Sequence, residues 1–487
     1  MQQSIKIRSV KYNFAMNIIL KMSSFVFPLI SLPYITRTLG AEGNGKVAFA
    51  SSVITYFSMF AQLGIPTYGI RVCAQARDNK EELSRTVQEI LIINLITCTI
   101  SYLAFFVALI YVPKMAEEKT LYVISAITIL FNTIGMEWLY KGLEQYSYIT
   151  IRSIVAKIVS VIAMFALVHS ENDYVIYGGI TVFAASAANI FNLIHARHYV
   201  DFRAFGKYNL GRHLKPIGIF FAMSCATTIY VNLDTVMIGW LKTDAEVGYY
   251  NVAIKIRTLL LSVVTSLGAV LLPRASYYIK AGMVDEFKRI NAKTMNFTLL
   301  IAVPVTVYFI LFAEEGILFL SGASYMDSIL PMQIIMPTVI FAGVSNITGL
   351  EILVPMGKEK YVLISEIFGA VLDFGINAIM IPRYGCIGAA IGTTLAEIVV
   401  LLVQIIFIRD MAAFFMSKIS GKNILLGTFF AVISTMWMKK LCFGSFTKLL
   451  VSATVFFAVY IIVMIILKEN IAFECIGILK NKMRRKE

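Results

Sequence analysis

The chain has 487 residues, of which 58% are hydrophobic and only 15% charged, and its mean hydropathy is +0.77. This composition excludes an ordinary soluble domain. A formal charge of +14 would suggest nucleic acid in a soluble protein, but here most Lys and Arg residues lie in loops on one side, so no nucleic-acid partner is predicted. The six cysteines form no zinc-ligand or CxxC spacing, and no metal or cofactor is predicted.

Apolar runs of about 20 residues recur along the whole chain, which is the pattern of a polytopic helical membrane protein. They predict an all-α fold with about 14 transmembrane helices. The predicted spans are residues 13–37, 46–65, 90–112, 120–140, 148–168, 174–196, 216–241, 248–272, 296–320, 328–352, 361–381, 386–408, 423–438 and 449–467.

The distribution of loop cations predicts the orientation. Loops that follow even-numbered spans carry most of the Lys and Arg residues, and loops that follow odd-numbered spans carry few. Because cytoplasmic loops are enriched in Lys and Arg, both termini are predicted to be cytoplasmic in a multi-pass protein of the plasma membrane. The outside loops are too short for a catalytic or receptor domain, and no enzyme motif is found, so no enzymatic activity is predicted.

The two halves of the chain resemble each other at a repeat distance of about 205–215 residues, which is compatible with a parallel repeat. Gly142-Leu-Glu-Gln-Tyr146 precedes span five, and Gly357-Lys-Glu-Lys-Tyr361 precedes span eleven. The repeat predicts two six-helix bundles related by a pseudo-two-fold axis along the membrane normal, plus two C-terminal helices. The predicted domains are an N-terminal lobe (1–198), a basic linker (199–215), a C-terminal lobe (216–410) and two further helices with a basic tail (411–487).

Span one combines Lys21 with two prolines, Pro28 and Pro33. Proline removes a backbone hydrogen bond and kinks a helix, so the prolines are predicted to form a hinge. Lys21 is then a candidate substrate contact. The alternative is a static kink with Lys21 extending to the membrane interface.

Span five carries two cations, Arg152 and Lys157. A cation at membrane depth costs roughly 2.5–3.5 kcal/mol on insertion scales. We therefore expect Arg152 and Lys157 to border an internal cavity and bind an anionic substrate. The alternative is a structural ion pair with Glu137, Glu144 or a carboxylate of another helix.

Charged residues also occur inside the later spans. Asp234 in span seven precedes Lys255 and Arg257 in span eight, which predicts either an internal salt bridge or a proton, sodium or gating site at Asp234. Glu366 and Asp373 in span eleven are seven residues apart and share one helix face, so they are further candidates for ion coupling or gating. Glu351 and the pair Glu314-Glu315 lie near span ends, where solvated side chains are expected, and Glu397 is expected to be hydrogen-bonded.

Five segments carry a family resemblance: Arg37 to Gly45, Trp138 to Lys157, Asn232 to Gly239, Gly248 to Lys255, and Leu272-Pro-Arg274. With them, the chain resembles the bacterial oligosaccharide flippases of the polysaccharide-transporter family. That family belongs to a superfamily with multidrug and toxin extrusion transporters and the lipid II flippase.

The resemblance implies a V-shaped pair of helical bundles and transport by alternating access. The implied substrate is a polyprenyl-pyrophosphate-linked oligosaccharide used for exopolysaccharide, O-antigen or capsule synthesis, with membrane lipid and the polysaccharide polymerase machinery as partners. Pyrophosphate binding is assigned by this resemblance to Arg152 and Lys157, then Lys21, Lys255 and Arg257. The last two helices would help to form a groove for the lipid tail.

Two other functions are compatible with a polytopic helical protein. A small-molecule or drug antiporter of the same superfamily usually has twelve spans and an acidic cavity, which the extra helices and the cations of span five argue against. A membrane polysaccharide polymerase or ligase usually needs a large charged outside loop, and no loop of that kind is found.

Overall fold

The computed structural model describes residues 10–203, 206, 208–441 and 443–469. This part of the chain is helical and contains no strand, which confirms the predicted all-α class. It divides into two compact units, Met1–Gly248 and Tyr249–Glu487.

The first unit is built from ten helices and the start of an eleventh, counted over the described residues. They are α1 (Val10–Gln62), α2 (Ile65–Ala76), α3 (Lys80–Tyr111), α4 (Pro113–Glu117), α5 (Lys119–Ile134), α6 (Glu137–Gly142), α7 (Tyr146–Leu167), α8 (Tyr174–Val182), α9 (Asn189–Ala196), α10 (Gly211–Leu241) and the first residues of α11 (Asp244–Val264). A π-helical segment, Phe183–Ala187, joins α8 to α9.

The second unit contains the rest of α11 and ten further helices, again within the described residues. They are α12 (Ser266–Lys280), α13 (Val284–Leu311), α14 (Ala313–Leu320), α15 (Ile329–Ile335), α16 (Thr338–Asn346), α17 (Glu359–Tyr384), α18 (Cys386–Phe407), α19 (Arg409–Lys418), α20 (Gly421–Met436) and α21 (Ser445–Ile466). A second π-helical segment, Ile347–Leu353, follows α16.

The long helices have the surface of a membrane protein. On α3, Ile100, Leu103 and Ile110 are 61%, 64% and 73% exposed, whereas Asn94 and Ser101 are buried. Apolar side chains outside and polar side chains inside are favourable only where lipid surrounds the protein, because lipid gives apolar side chains no reason to be buried. The chain is thus a multi-pass membrane protein.

The predicted number of about fourteen membrane crossings is not confirmed. Among the described residues, 11 helices are long and apolar enough to cross a membrane, or up to 13 if each of two bent helix pairs is one crossing. The difference lies in α1, which runs through both of the first two predicted spans. Gly40 lies inside it with φ 64° and ψ −175°, a conformation that glycine adopts without strain, so α1 consists of two helices joined at Gly40.

The predicted linker 199–215 is in part helical, because α10 begins at Gly211. A fully buried carboxylate of α3, Glu89, fixes the start of α10. It accepts hydrogen bonds from Arg212 Nε at 2.8 Å and from the backbone N–H of Asn209 at 2.8 Å. A charged acceptor with several donors holds its partners firmly, so this end of the linker is fastened to α3.

The boundary between the compact units does not coincide with the predicted lobe boundary. The predicted lobes meet at the linker, whereas α10 belongs to the same compact unit as the N-terminal helices. The predicted lobes 1–198 and 216–410 stay a prediction.

The last two predicted spans correspond to α20 and α21, within four residues at each end. Both helices pack on α13, and two tyrosines join α21 to it by hydrogen bonds. Tyr308 donates to the Leu449 carbonyl at 2.9 Å, and Tyr460 donates to the Leu300 carbonyl at 2.9 Å. The outer faces of α20 and α21 carry exposed apolar side chains, such as Phe429.

Candidate functional site

Arg152 is fixed by the protein itself. Its side chain is 9% exposed, and its Nη2 lies 3.9 Å from Glu137 Oε2. Its Nη1 donates to the carbonyl of Ala188 at 3.0 Å, directly after the π-helical segment that precedes α9. A π-helical turn frees backbone carbonyls from the regular ladder, so an acceptor is available there for the Arg152 guanidinium. The sequence analysis gave a structural ion pair with Glu137 as the alternative to substrate binding by Arg152, and this contact corresponds to it.

Lys157 has a different environment one and a half turns further along α7. Its Nζ donates to Ser23 Oγ at 3.0 Å and to Ser24 Oγ at 2.8 Å, both on α1. Among the described residues, no carboxylate lies within 4 Å of this ammonium group. Hydroxyl groups solvate a cation but do not neutralise it, so Lys157 has hydrogen-bond partners and no counter-charge among the described residues.

The hinge residues Pro28 and Pro33 lie within α1, as does Lys21. Ser23 and Ser24, the hydroxyls that hold Lys157, lie just before Pro28. The side chain of Lys21 lies outside the described part of the structure. A hinge at the prolines stays a prediction, whereas the non-helical backbone recorded within α1 is at Gly40.

The two cations of α11 also differ from each other. Arg257 Nη2 forms an ion pair with Glu397 Oε1 at 2.5 Å, and Arg257 Nε donates to Thr338 Oγ1 at 2.8 Å. Glu397 is therefore hydrogen-bonded, as expected, and Arg257 joins three helices of its unit rather than offering a free cation. Lys255 has no hydrogen bond or ion pair with a described residue of its unit.

Two of the predicted ion-coupling residues are buried, and one is half-buried. Asp373 on α17 and Asp234 on α10 are buried, and Glu366 on α17 is half-buried. Asp373 and Asn377, one turn apart, point towards Gly392 of α18. A Cβ on Gly392 would lie 2.9 Å from Asp373 Oδ1 and would overlap with Asn377 Oδ1. The glycine thus allows two side-chain oxygens to approach α18 closely.

Two carboxylates that were expected to be solvated are buried. Glu351 is 1% exposed within the π-helical segment after α16, and neither of its carboxyl oxygens has a hydrogen-bond partner among the described residues. Glu315 is buried and lies 3.6 Å from Lys448 of α21. Position along the sequence was misleading in both cases, because α14 and the π-helical segment are covered by neighbouring helices of their unit.

A polar cavity of about 400 Å³ lies between α1, α5, α8 and α10. Ten of its sixteen lining residues are Ser, Thr, Asn or Gln, and none of the described residues that line it is charged. We call it the hydroxyl cavity. Sequence reasoning missed it because Ser and Thr barely lower the hydropathy of a span. Helical spacing could have indicated the cavity, because Ser51, Thr55, Ser58 and Gln62 recur on one face of α1.

Two ion pairs lie close together. One joins α1 to Glu118, just before α5, and the other joins α4 to the start of α11. Lys46 lies 3.0 Å from Glu118, and Lys114 lies 2.9 Å from Asp244. These residues are on the side that is predicted to be outside. The backbones approach closely here, since a Cβ on Gly45 would lie 2.7 Å from the carbonyl carbon of Asp244.

The family description "Polysaccharide biosynthesis protein" matches residues 10–279, more than half of the chain. The chain belongs to this polysaccharide biosynthesis protein family. The family description MatE also matches, over residues 220–379.

Two enterobacterial proteins, each named "Putative O-antigen transporter", are similar to this chain. This family member is 26% identical to the one from Shigella dysenteriae over 402 residues, covering 81% of this chain and 98% of that protein. It is 22% identical to the one from Escherichia coli K12 over 404 residues, covering 82% and 97%.

Solved structures show the same fold for this family member. The lipid II flippase MurJ in an inward closed conformation superimposes with a TM-score of 0.73 at 15% identity, covering 94% of this chain and 99% of that one. An inward-facing multidrug MATE transporter gives a TM-score of 0.60 at 15% identity, covering 82% and 99%. The protein is thus a multi-pass membrane protein of the polysaccharide biosynthesis protein family, and it shares the fold of these two solved structures.

Proposed function

We propose that the protein is a flippase, which moves a polyprenyl-pyrophosphate-linked oligosaccharide from the cytoplasmic to the outer leaflet of the plasma membrane by alternating access. The product would serve the synthesis of a surface polysaccharide such as O-antigen or capsule, with a polymerase consuming it outside. Membership of the family, the names of the curated relatives and the MurJ-like fold support this proposal.

The observation that carries the proposal is the state of the two lysines, Lys157 and Lys255. Neither has a carboxylate partner in its own unit, although both lie within membrane-spanning helices. Both lysines are half-buried. A charge at membrane depth without a counter-charge is costly, and a bound anion removes that cost. Pyrophosphate is such an anion, and lysine binds phosphate oxygens well as a point charge. We therefore rank these lysines above Arg152 and Arg257, which already have partners within the protein.

Ion coupling is assigned to Asp373, with Asp234 and Glu366 as further candidates. The buried oxygens of Asp373 and Asn377 beside Gly392 support a small cation or a proton at that place. The charged cluster around Lys46 and Lys114 lies at the predicted outer end of the first unit, where alternating access requires contacts that form and break.

A drug antiporter of the same superfamily is less well supported. A cavity that accepts organic cations needs a carboxylate to pair with them. The described residues that line the hydroxyl cavity include none.

The test measures in which leaflet lipid-linked oligosaccharide resides, in cells that express the protein or its variants at matched membrane abundance. Lys157→Met and Lys255→Met remove the charge and keep the length of the side chain. Both variants are expected to leave the substrate in the cytoplasmic leaflet. Lys80→Met is the matched control. Lys80 is the first residue of α3, its side chain is 53% exposed, and it pairs with Asp201. Normal export by both lysine variants would contradict the proposal.

A further inference from the structure

The hydroxyl cavity presents polar groups that the protein does not use itself. Ser58, Gln62, Thr128 and Thr228 line it, and their side chains form no hydrogen bond with any described residue. The hydroxyl of Ser58 is also buried, with no partner in the described part of the chain. A buried polar group without a partner costs free energy, so such groups are retained where a ligand or ordered water satisfies them.

The chemistry of the walls excludes most classes of ligand. No described lining residue is charged, so neither the pyrophosphate nor an organic cation finds a counter-charge in the cavity. A polyprenyl tail would leave Ser58, Gln62, Thr128 and Thr228, which have no described partner, without hydrogen bonds. An uncharged polyhydroxylated ligand fits best. Ser and Thr hydroxyls and Asn and Gln amides both donate and accept hydrogen bonds, as sugar hydroxyls do.

The size and construction of the cavity suit a portion of a glycan. Its volume of about 400 Å³ lies within the range of about 300–1,000 Å³ that is usual for small-molecule pockets. One wall is braced, since Asn189 Nδ2 donates to Asn132 Oδ1 at 3.0 Å and so holds the Asn132 amide in place. Apolar residues such as Ile54 and Met59 share the lining and offer surfaces for the apolar faces of sugar rings.

We propose that the hydroxyl cavity binds uncharged sugar residues of the transported lipid-linked oligosaccharide, apart from the lysines that bind its pyrophosphate. This inference rests on the proposed flippase function and adds where the glycan is recognised and what class of sugar is accepted. Polyprenyl-pyrophosphate-linked glycans share the same pyrophosphate whatever their sugars, so selection between glycans needs a separate site of this kind.

The experiment uses the full-length protein purified in detergent and two probes. One is undecaprenyl pyrophosphate, and the other is undecaprenyl-pyrophosphate-linked oligosaccharide extracted from the source cells. Native mass spectrometry measures how much of each probe the protein retains. The test variant is Thr128→Val with Thr228→Val, which removes two hydroxyls and keeps the branched shape. The control is Thr227→Val, since Thr227 is the neighbour of Thr228 on α10, is exposed and does not line the cavity.

The test variant is expected to retain the glycan-linked carrier about 2- to 10-fold less well per hydroxyl removed. Its retention of undecaprenyl pyrophosphate should be unchanged, and Thr227→Val should behave like the original protein. A Thr128→Ser, Thr228→Ser variant restores both hydroxyls and should recover glycan binding, which separates lost contacts from misfolding.

Three results would overturn the inference. If the test variant retains the glycan-linked carrier normally, the cavity holds water and not sugar. If both probes are lost equally, the cavity does not distinguish the glycan from the carrier. If the original protein retains neither probe, the flippase proposal fails as well, whereas retention of undecaprenyl pyrophosphate in every variant leaves that proposal standing.

Discussion

Gly45→Ala is expected to destabilise the protein, although alanine favours helices. A Cβ on Gly45 would lie 2.7 Å from the carbonyl carbon of Asp244 and 2.9 Å from the backbone nitrogen of Gly248. Both obstacles are backbone atoms, which cannot rotate away as a side chain can. The start of α11 must therefore move away from α1, and the contact between Asp244 and Lys114 must lengthen from 2.9 Å.

The magnitude follows from two opposing effects. Replacing glycine by alanine inside a helix stabilises by roughly 0.5–1 kcal/mol when space is available. Forcing one extra carbon into a closely packed contact costs about 1–3 kcal/mol or more. The steric effect is larger at Gly45, so a net loss of stability is expected. Gly218→Ala on α10 is the matched control, because nothing lies within 4 Å of a Cβ at that position.

The assay is thermal unfolding in detergent, followed with a dye that becomes fluorescent on reaction with thiols. Cys73 and Cys98 are free and buried in the first unit, so they react when it opens. Gly45→Ala should lower the midpoint of unfolding, and Gly218→Ala should leave it unchanged or raise it. Equal midpoints for the two variants would refute the close approach between α1 and the start of α11.

Two further predictions concern buried charges of the second unit. Arg257→Met should destabilise by about 3–5 kcal/mol, because it leaves the buried Glu397 without its partner, and adding Glu397→Gln should restore most of the loss. Glu351→Met should stabilise by about 1–3 kcal/mol, because it removes a buried carboxyl that has no described partner. Unfolding midpoints in the same assay measure both, and a lower midpoint for Glu351→Met would mean that the carboxyl is satisfied in the folded protein.

Most of the helical framework could be predicted from the sequence, because hydropathy alone decides where a chain crosses a membrane. The span predicted at 148–168 is α7 (Tyr146–Leu167), and the span predicted at 386–408 is α18 (Cys386–Phe407). The π-helical segment after α16 could not be predicted, since it depends on packing between helices rather than on local composition.

Only part of the candidate site could be predicted from the sequence. Each cation could be found as a charge inside an apolar run, and Glu137 was among the partners considered for Arg152. The other partners could not be predicted. Arg257 and Glu397 are 140 residues apart, and the carbonyl that binds Arg152 belongs to the residue after a π-helical turn. The hydroxyl cavity was missed altogether, because it is assembled from short polar faces on four helices, none of which stands out by itself.

Two of the four cations in α7 and α11 are arginines with a carboxylate contact, and the other two are lysines without one among the described residues of their own unit. The chemistry of the two residue types explains this difference. Arginine presents a rigid fork of donors that suits permanent ion pairs, and both Arg152 and Arg257 contact a carboxylate together with a second acceptor. Lysine is a compact, strongly hydrated point charge on a flexible stem. A flippase has to release its pyrophosphate on the far side of the membrane as well as bind it. A cation that exchanges serine hydroxyls for phosphate oxygens, as we propose for Lys157, can both bind and release the pyrophosphate. A guanidinium paired with a carboxylate would have to break its own ion pair in every transport cycle.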